Sequence, residues 1–311
     1  MGEGVRSRTV KPCARRLRGN PSIRPRKNLG QNFLVDHSWL NVIISAADLG
    51  RADAVLEIGA GTGVLTRALA ERAAHIIAVE LDDRLVESLR TDFRGWPNVD
   101  IVHADVLDVC LTELMQFDRL AYRKCKVVAN LPYYITSPVI LKILDEARFL
   151  ERVVVLVQKE VAERMVAAPG SKRYGAFSVV VQYRTLPEIV AIVPPDAFRP
   201  APKVDSAVVR LVMRREPAVK VVSEDVLFRV VRAGFGMRRK TLLRALVMAG
   251  PGALGLPRAD ESVIRKAMEM AAVQPERRAE TLSLDEFGRL ADALLAVAMR
   301  VRQEPNGVSS S

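Results

Sequence analysis

Between residues 54 and 168 the chain alternates short apolar runs with stretches whose apolar positions recur at helical spacing. Residues 54–58, 75–79, 100–105, 125–129 and 152–158 are rich in Val, Ile and Leu and too short for helices, which predicts strands buried on both faces. Residues 64–72, 137–147 and 159–168 carry the helical period. Asp36 is placed as the N-cap of a further helix over 37–48, with apolar residues at 39, 40, 43, 44 and 47. Such alternation predicts an α/β fold: a Rossmann-like, mostly parallel sheet with helices on both faces and ligands at the carboxyl ends of its strands. Residues 174–185 suit a strand and a buried helix equally. Residues 188–193 and 206–213 predict an antiparallel pair at one sheet edge.

Beyond Arg215 helical periodicity takes over, at 223–234, 240–249, 261–271 and 283–299, with 250–255 as a connection. Two domains are therefore expected. An α/β domain spans 27–215 and a smaller all-helical domain spans 216–300. A basic, disordered tail (1–26) precedes them and a frayed tail (301–311) follows.

Two strand ends carry candidate chemistry. After the strand at 54–58 comes Gly59-Ala60-Gly61-Thr62-Gly63 and then a helix. Glycines at that turn let the backbone approach a ligand beneath a helix N-terminus. The next strand ends in Glu80, 21 residues after Gly59, where an acid can accept ribose hydroxyls. The dinucleotide fingerprint would place its third glycine at position 64, which is Val64. A ligand with a ribose and no pyrophosphate fits better, and S-adenosylmethionine is the obvious one. Asp105, ending the third strand, is placed to meet its adenine amino group.

The second strand end is Asn130-Leu131-Pro132-Tyr133, which runs on into Tyr134. An amide, a proline and aromatic rings after a buried strand suit a clamp for a flat, hydrogen-bonding nucleobase. The Asn130 side-chain oxygen is expected to accept from an exocyclic amino group of that base, with the Leu131 carbonyl beside it. Tyr133 offers a stacking face. Phe198, in the Pro-rich loop at 194–203, is expected to offer a second face opposite it; a plain loop anchor is the alternative.

Charge sharpens the choice of partner. The net +11 is segregated: residues 1–30 carry +8, 31–200 carry −3 and 201–311 carry +6. A near-neutral core between basic flanks points to a polyanion, with nucleic acid favoured. Arg238-Arg239-Lys240 stands at a helix start, where three cations oppose the helix dipole, and is expected to bind an external anion such as a nucleic-acid phosphate. A solvated charged face is the plainer reading. At 49% hydrophobic the chain can bury a sizeable core, and no apolar run is long enough for a membrane span. Residues 1–26 lack the apolar core of a secretory signal. An Arg-rich start also fits an organelle transit peptide, against which the prolines at 12, 21 and 25 speak. Cys13, Cys110 and Cys125, and His37, His75 and His103, are scattered, so neither a metal nor a disulfide is expected, and a reduced, cytoplasmic compartment is. A monomer is expected.

Assembled, these residues resemble the ribosomal RNA adenine N6,N6-dimethyltransferases of the small-subunit (16S) type, from about residue 25 to residue 300. The shared motifs are Lys27…Leu29-Gly30-Gln31-Asn32-Phe33-Leu34, Glu57-Ile58-Gly59-x-Gly61-x-Gly63, Asn130-Leu131-Pro132-Tyr133 and Phe198-x-Pro200-x-Pro202-Lys203-Val204-Asp205-Ser206. Arg238-Arg239-Lys240-Thr241-Leu242 and Arg278-Ala279-Glu280-x-Leu282 complete them. The resemblance implies a class I methyltransferase sheet and a helix over 176–185. It implies S-adenosylmethionine held by Asn32, Leu34, Gly59, Glu80, Asp105 and Asn130, with Gly61 in the same turn. It further implies dimethylation of two adjacent adenosines near the 3′ end of 16S ribosomal RNA, within a precursor of the small subunit. Ala60 departs from the proline common in that turn, and the basic extension before residue 25 lies outside the shared pattern. Competing readings are a large-subunit adenine methyltransferase of the antibiotic-resistance type and a non-enzymatic RNA-binding assembly or transcription factor on the same fold.

Overall fold

A computed structural model describes residues 26, 31–115 and 124–300. The two expected tails, apart from Arg26, lie outside the described residues, as do residues 27–30 of the first motif.

The chain opens on a two-residue strand β1 (Phe33–Leu34) and helix α1 (His37–Ala47), whose N-cap Asp36 accepts from the Ser38 amide as its sequence position implies. There follow β2 (Asp53–Ile58), α2 (Val64–Ala70), β3 (His75–Glu80), α3 (Asp83–Asp92), β4 (Val99–His103), α4 (Leu111–Met115) and β5 (Lys124–Asn130). Next come α5 (Thr136–Glu146), β6 (Leu150–Gln158), α6 (Lys159–Met165), α7 (Ala176–Arg184), β7 (Thr185–Val193), β8 (Phe198–Arg199) and β9 (Ser206–Met213). The last helices are α8 (Glu224–Gly236), α9 (Leu242–Leu254), α10 (Glu261–Met270) and α11 (Leu284–Arg300).

Among the described residues seven strands form one sheet, in the order β4-β3-β2-β5-β6-β9-β7. The pairs from β4 to β6 are parallel and the far edge is antiparallel, as expected. The chain moves outward from β2 to β4, then returns to β5 on the other side of β2. That reversal puts a topological switch point between β2 and β5, where open sheets of this type bind ligands. All six residues of β2 are buried, which accounts for its almost unbroken apolar sequence. The exceptions, Asp53 and Glu57, occupy its two ends. At the amino end the buried Lys126 Nζ of β5 meets Asp53 Oδ2 at 2.8 Å and also donates to the Asp48 carbonyl at the end of α1.

The chain divides into two compact units. Among the described residues, one runs to Lys159 and resumes over Ile189–Leu211; the other takes Glu160–Glu188 and the chain from Val212 to Arg300. This differs from the expected single cut after residue 215. Within the segment 174–185, which has no exposed position, lies the helix α7, and its Val179 and Tyr183 sit in the core of the helical unit beside Leu227, Val230 and Leu246. Residues 250–255 are no plain connection: Gly250, at φ 72°, kinks the chain and a further helical turn follows. No helix among the described residues is long and apolar enough to cross a membrane.

Candidate active site

The carboxyl ends of β2, β3 and β5 and the segment after β4 open onto a cavity of about 310 Å³. Its wall includes Asn32, Leu34, Gly59, Gly61, Glu80, Asp105, Asn130, Leu131 and Tyr133, so all the cofactor candidates and three of the four catalytic candidates meet there.

The glycine turn owes its shape to backbone freedom. Gly61 has φ 59°, and a Cβ added to it would stand 3.4 Å from the Phe33 ring. Gly63 has φ 75°, and a Cβ there would come within 2.8 Å of Leu89 and 2.9 Å of Phe93. Glu80 fastens this turn. Its Oε2 accepts from Gly61 N at 2.8 Å, and its Oε1 from the amides of Leu81 and Asp82, both at 2.9 Å. Three of its about four lone pairs are thus engaged by backbone amides. Asp105 Oδ1 accepts from Leu107 N at 2.9 Å, which holds the carboxylate at the cavity.

Asn130 ends β5. Its Nδ2 donates to the Asn32 carbonyl at 3.1 Å, which commits the amide nitrogen and leaves the side-chain oxygen as the acceptor. Pro132, at φ −56° and ψ 133°, turns the chain into the short helical turn Tyr133–Ile135, and its carbonyl accepts from Thr136 Oγ1 at 3.1 Å. The Tyr133 hydroxyl lies 2.6 Å from Ser206 Oγ of β9, so this ring is anchored at its far end. Burial raises its pKa above the ordinary phenol value, against the effect of that hydrogen bond.

Phe198 departs from its expected role. It is wholly buried, pairs across to Leu34 in the antiparallel β1–β8 ribbon, and packs in the core of the sheet unit. It is absent from the cavity wall and offers no second stacking face in this structure; the anchor reading describes it. The aromatics that do reach the cavity are Phe33, Tyr133 and Tyr134, the last at 55% exposure.

Sequence reading assigned no role to Glu57. Its carboxylate, at 1% exposure, lines the cavity beneath α2, and neither oxygen has a hydrogen-bond partner among the described residues. Burial pushes its pKa up to about 8, opposed in part by Thr66 and reinforced by the Glu80 charge. An acid inside an otherwise apolar strand was the signal.

This cavity suits S-adenosylmethionine. The glycine cradle admits close approach, and Glu80 and Asp105 supply acceptors for a nucleoside. Among the described residues no group of three or more His, Cys, Asp or Glu side chains is placed to hold a metal.

The basic triad belongs to the helical unit. Arg238, Arg239 and Lys240 are exposed in the turn between α8 and the Thr241 N-cap of α9. Arg238 reaches the Lys172 carbonyl at 3.4 Å and Glu280 at 4.0 Å. Arg239 and Lys240 make no ion pair among the described residues.

A parallel sheet with a glycine turn at the switch point, acids at the next two strand ends and an Asn-Leu-Pro-Tyr clamp defines a class I, S-adenosylmethionine-dependent methyltransferase. A family model, ribosomal RNA adenine dimethylase, matches residues 23–286, and the chain belongs to that family. It is 47% identical over 284 residues to the ribosomal RNA small subunit methyltransferase A of Pelotomaculum thermopropionicum, which covers 88% of this chain and 92% of that relative. Among solved structures it is similar to a dimethyladenosine transferase from Plasmodium falciparum, with a TM-score of 0.68 and 26% identity over 81% of this chain and 94% of the other. The 23S rRNA methyltransferase ErmE gives a TM-score of 0.62 and 27% identity over 85% and 99%.

Proposed function

We propose that the chain dimethylates N6 of two adjacent adenosines near the 3′ end of 16S ribosomal RNA, in a precursor of the small ribosomal subunit, as a cytoplasmic monomer. The observation that carries this reading is the fixed amide of Asn130 on the wall of the glycine-turn cavity. The small-subunit assignment is supported by the 47% identity to a small-subunit enzyme, against 27% to the large-subunit enzyme ErmE.

An adenine N6 lone pair is delocalised into the ring, so the amino group is a poor nucleophile. The Asn130 side-chain oxygen and the Leu131 carbonyl accept its two hydrogens, drawing the nitrogen toward tetrahedral geometry and aiming its lone pair. Orientation is the main catalytic device, and no strong general base is needed. Bound in the cavity, S-adenosylmethionine supplies an electrophilic methyl on sulfonium. Gly59 and Gly61 admit it, Asn32 and Leu34 flank it, and Glu80 and Asp105 accept from its nucleoside end.

The target base leaves its stack at a cost of a few kcal/mol, offset by roughly 1–3 kcal/mol of stacking on Tyr133. A once-methylated nitrogen keeps one hydrogen for a second round. Arg238, Arg239 and Lys240 bind RNA phosphates remote from the base and set register. The test is to map N6-methylated adenines on ribosomal RNA from cells lacking the protein. Two adjacent small-subunit adenosines should lose their methyl groups; an unchanged small-subunit pattern would refute the assignment.

A further inference from the structure

The residues from Gln31 to Val35 form a strap along the cavity, and Gln31, Asn32, Phe33 and Leu34 all line it. Its far end is held by the β1–β8 ribbon and by Val35 N donating to the Ala197 carbonyl at 2.9 Å. Its near end is held differently. Gln31 Nε2 donates to Asp82 Oδ2 at 3.1 Å, while Gln31 Oε1 accepts from the Arg26 amide at 2.7 Å. Asn32, whose carbonyl orients the Asn130 amide, lies between these two anchors.

Asp82 is more than a helix cap. Its Oδ1 caps α3 by accepting from Arg84 N at 3.2 Å, but its Oδ2 is spent on Gln31 and on Arg84 Nη2, at 2.7 Å. The side chain is fully buried, and Arg26 stands 3.5 Å from it. Arg84 holds the carboxyl well below its usual range, against the opposing effect of burial, with Gln31 adding to the lowering. The anchor is therefore charged at any working pH. Asp82 is not part of the cavity wall.

We propose that Asp82 is a positioning residue for methyl transfer. Through Gln31 it latches the strap, and through the Asn32 carbonyl the latched strap fixes the catalytic amide of Asn130. The hold on the strap and the orientation of the Asn130 amide are thus linked. The proposal rests on the reading of Asn130 given above.

Asp82→Asn separates latch from cap. It can keep an oxygen for the α3 amide while turning an NH₂ toward the Gln31 and Arg84 Nη2 donors, so it breaks the latch and that ion pair together, and Gln31 cannot turn over without losing its bond from Arg26. At saturating cofactor and RNA, kcat should fall roughly tenfold, the scale expected when a reacting group is displaced by a fraction of an ångström, with KM for RNA unchanged. Gln31→Leu, which leaves the α3 cap whole, should fall by a similar factor and carries the test if Asp82→Asn does not fold.

The decisive readout is a double-mutant cycle with Asn130→Ala. If Asp82 acts through Asn130, Asp82→Asn should lower kcat less than about twofold in the Asn130→Ala background. An equal tenfold loss in both backgrounds would show that Asp82 merely supports the fold, and an unchanged kcat in both latch variants would also overturn the proposal. Near-normal turnover of Asn130→Ala alone is a separate result: it would overturn the reading of Asn130 and this proposal with it.

Discussion

Strand β2 carries a buried acid at each end, and the two are treated in opposite ways. Asp53, at the amino end, is met by the buried Lys126 ammonium at 2.8 Å and also accepts from Gly50 N at 2.7 Å. Glu57, four residues on at the carboxyl end, is equally buried and has no hydrogen-bond partner among the described residues. The paired end ties β2, β5 and the end of α1 together, so its charges are satisfied from within. The unpaired end opens onto the cavity, and burial keeps its acid neutral. One strand thus separates an end that ties the fold together from an end that faces the cavity.

The largest effects should come from disturbing these two acids, with opposite signs. Lys126→Met strands the Asp53 charge in the core and should cost about 3–5 kcal/mol in denaturant melts. Glu57→Gln should do the reverse as pH rises in cofactor-free protein. The native state keeps a proton on Glu57 that the unfolded chain releases above about 4.5, so wild-type stability drains away between about 4.5 and about 8. The melting temperature of Glu57→Gln relative to wild type should therefore be flat below that window, climb through it and level off above. A flat difference throughout would mean that Glu57 is not held neutral.

Changes confined to the cavity end should strike turnover rather than stability. Asn130→Ala removes one acceptor and the orientation it gives, so single-turnover methyl transfer should fall at least ~10²-fold with RNA affinity little changed. Near-normal turnover would contradict its role. Smaller again is the effect at Tyr133. Tyr133→Ala should lose roughly 1–3 kcal/mol of base stacking, while Tyr133→Phe keeps the ring and loses only the bond to buried Ser206, about 1 kcal/mol. Equal damage from both would place the function in the hydroxyl.

Much of this was legible in the sequence because it is local. The apolar runs marked the strands, and the glycine turn, Glu80, Asp105 and Asn130 were found by their places at strand ends. What escaped depends on distant partners. Phe198 looked exposed because its cover is β1, more than 160 residues away, and two-residue strands have no period to read. Residues 174–185 were undecided because a helix covered on all sides carries no clear apolar stripe. The strap's hold on Asn130 runs through a backbone carbonyl, which no side-chain pattern reports. Glu57 and Lys126 stood in plain view as charges within apolar runs, and only their different partners give them different roles.

The most direct test of the division is calorimetric titration of S-adenosylmethionine into the chain without RNA, for wild type and for Gly61→Val. The account predicts one site per wild-type chain. It also predicts loss of binding in Gly61→Val, where a branched side chain would have to sit at φ 59° against the Phe33 ring, with the far-UV spectrum and the Asp53–Lys126 end intact. No saturable binding by the wild type, or unchanged affinity in a folded Gly61→Val, would contradict it.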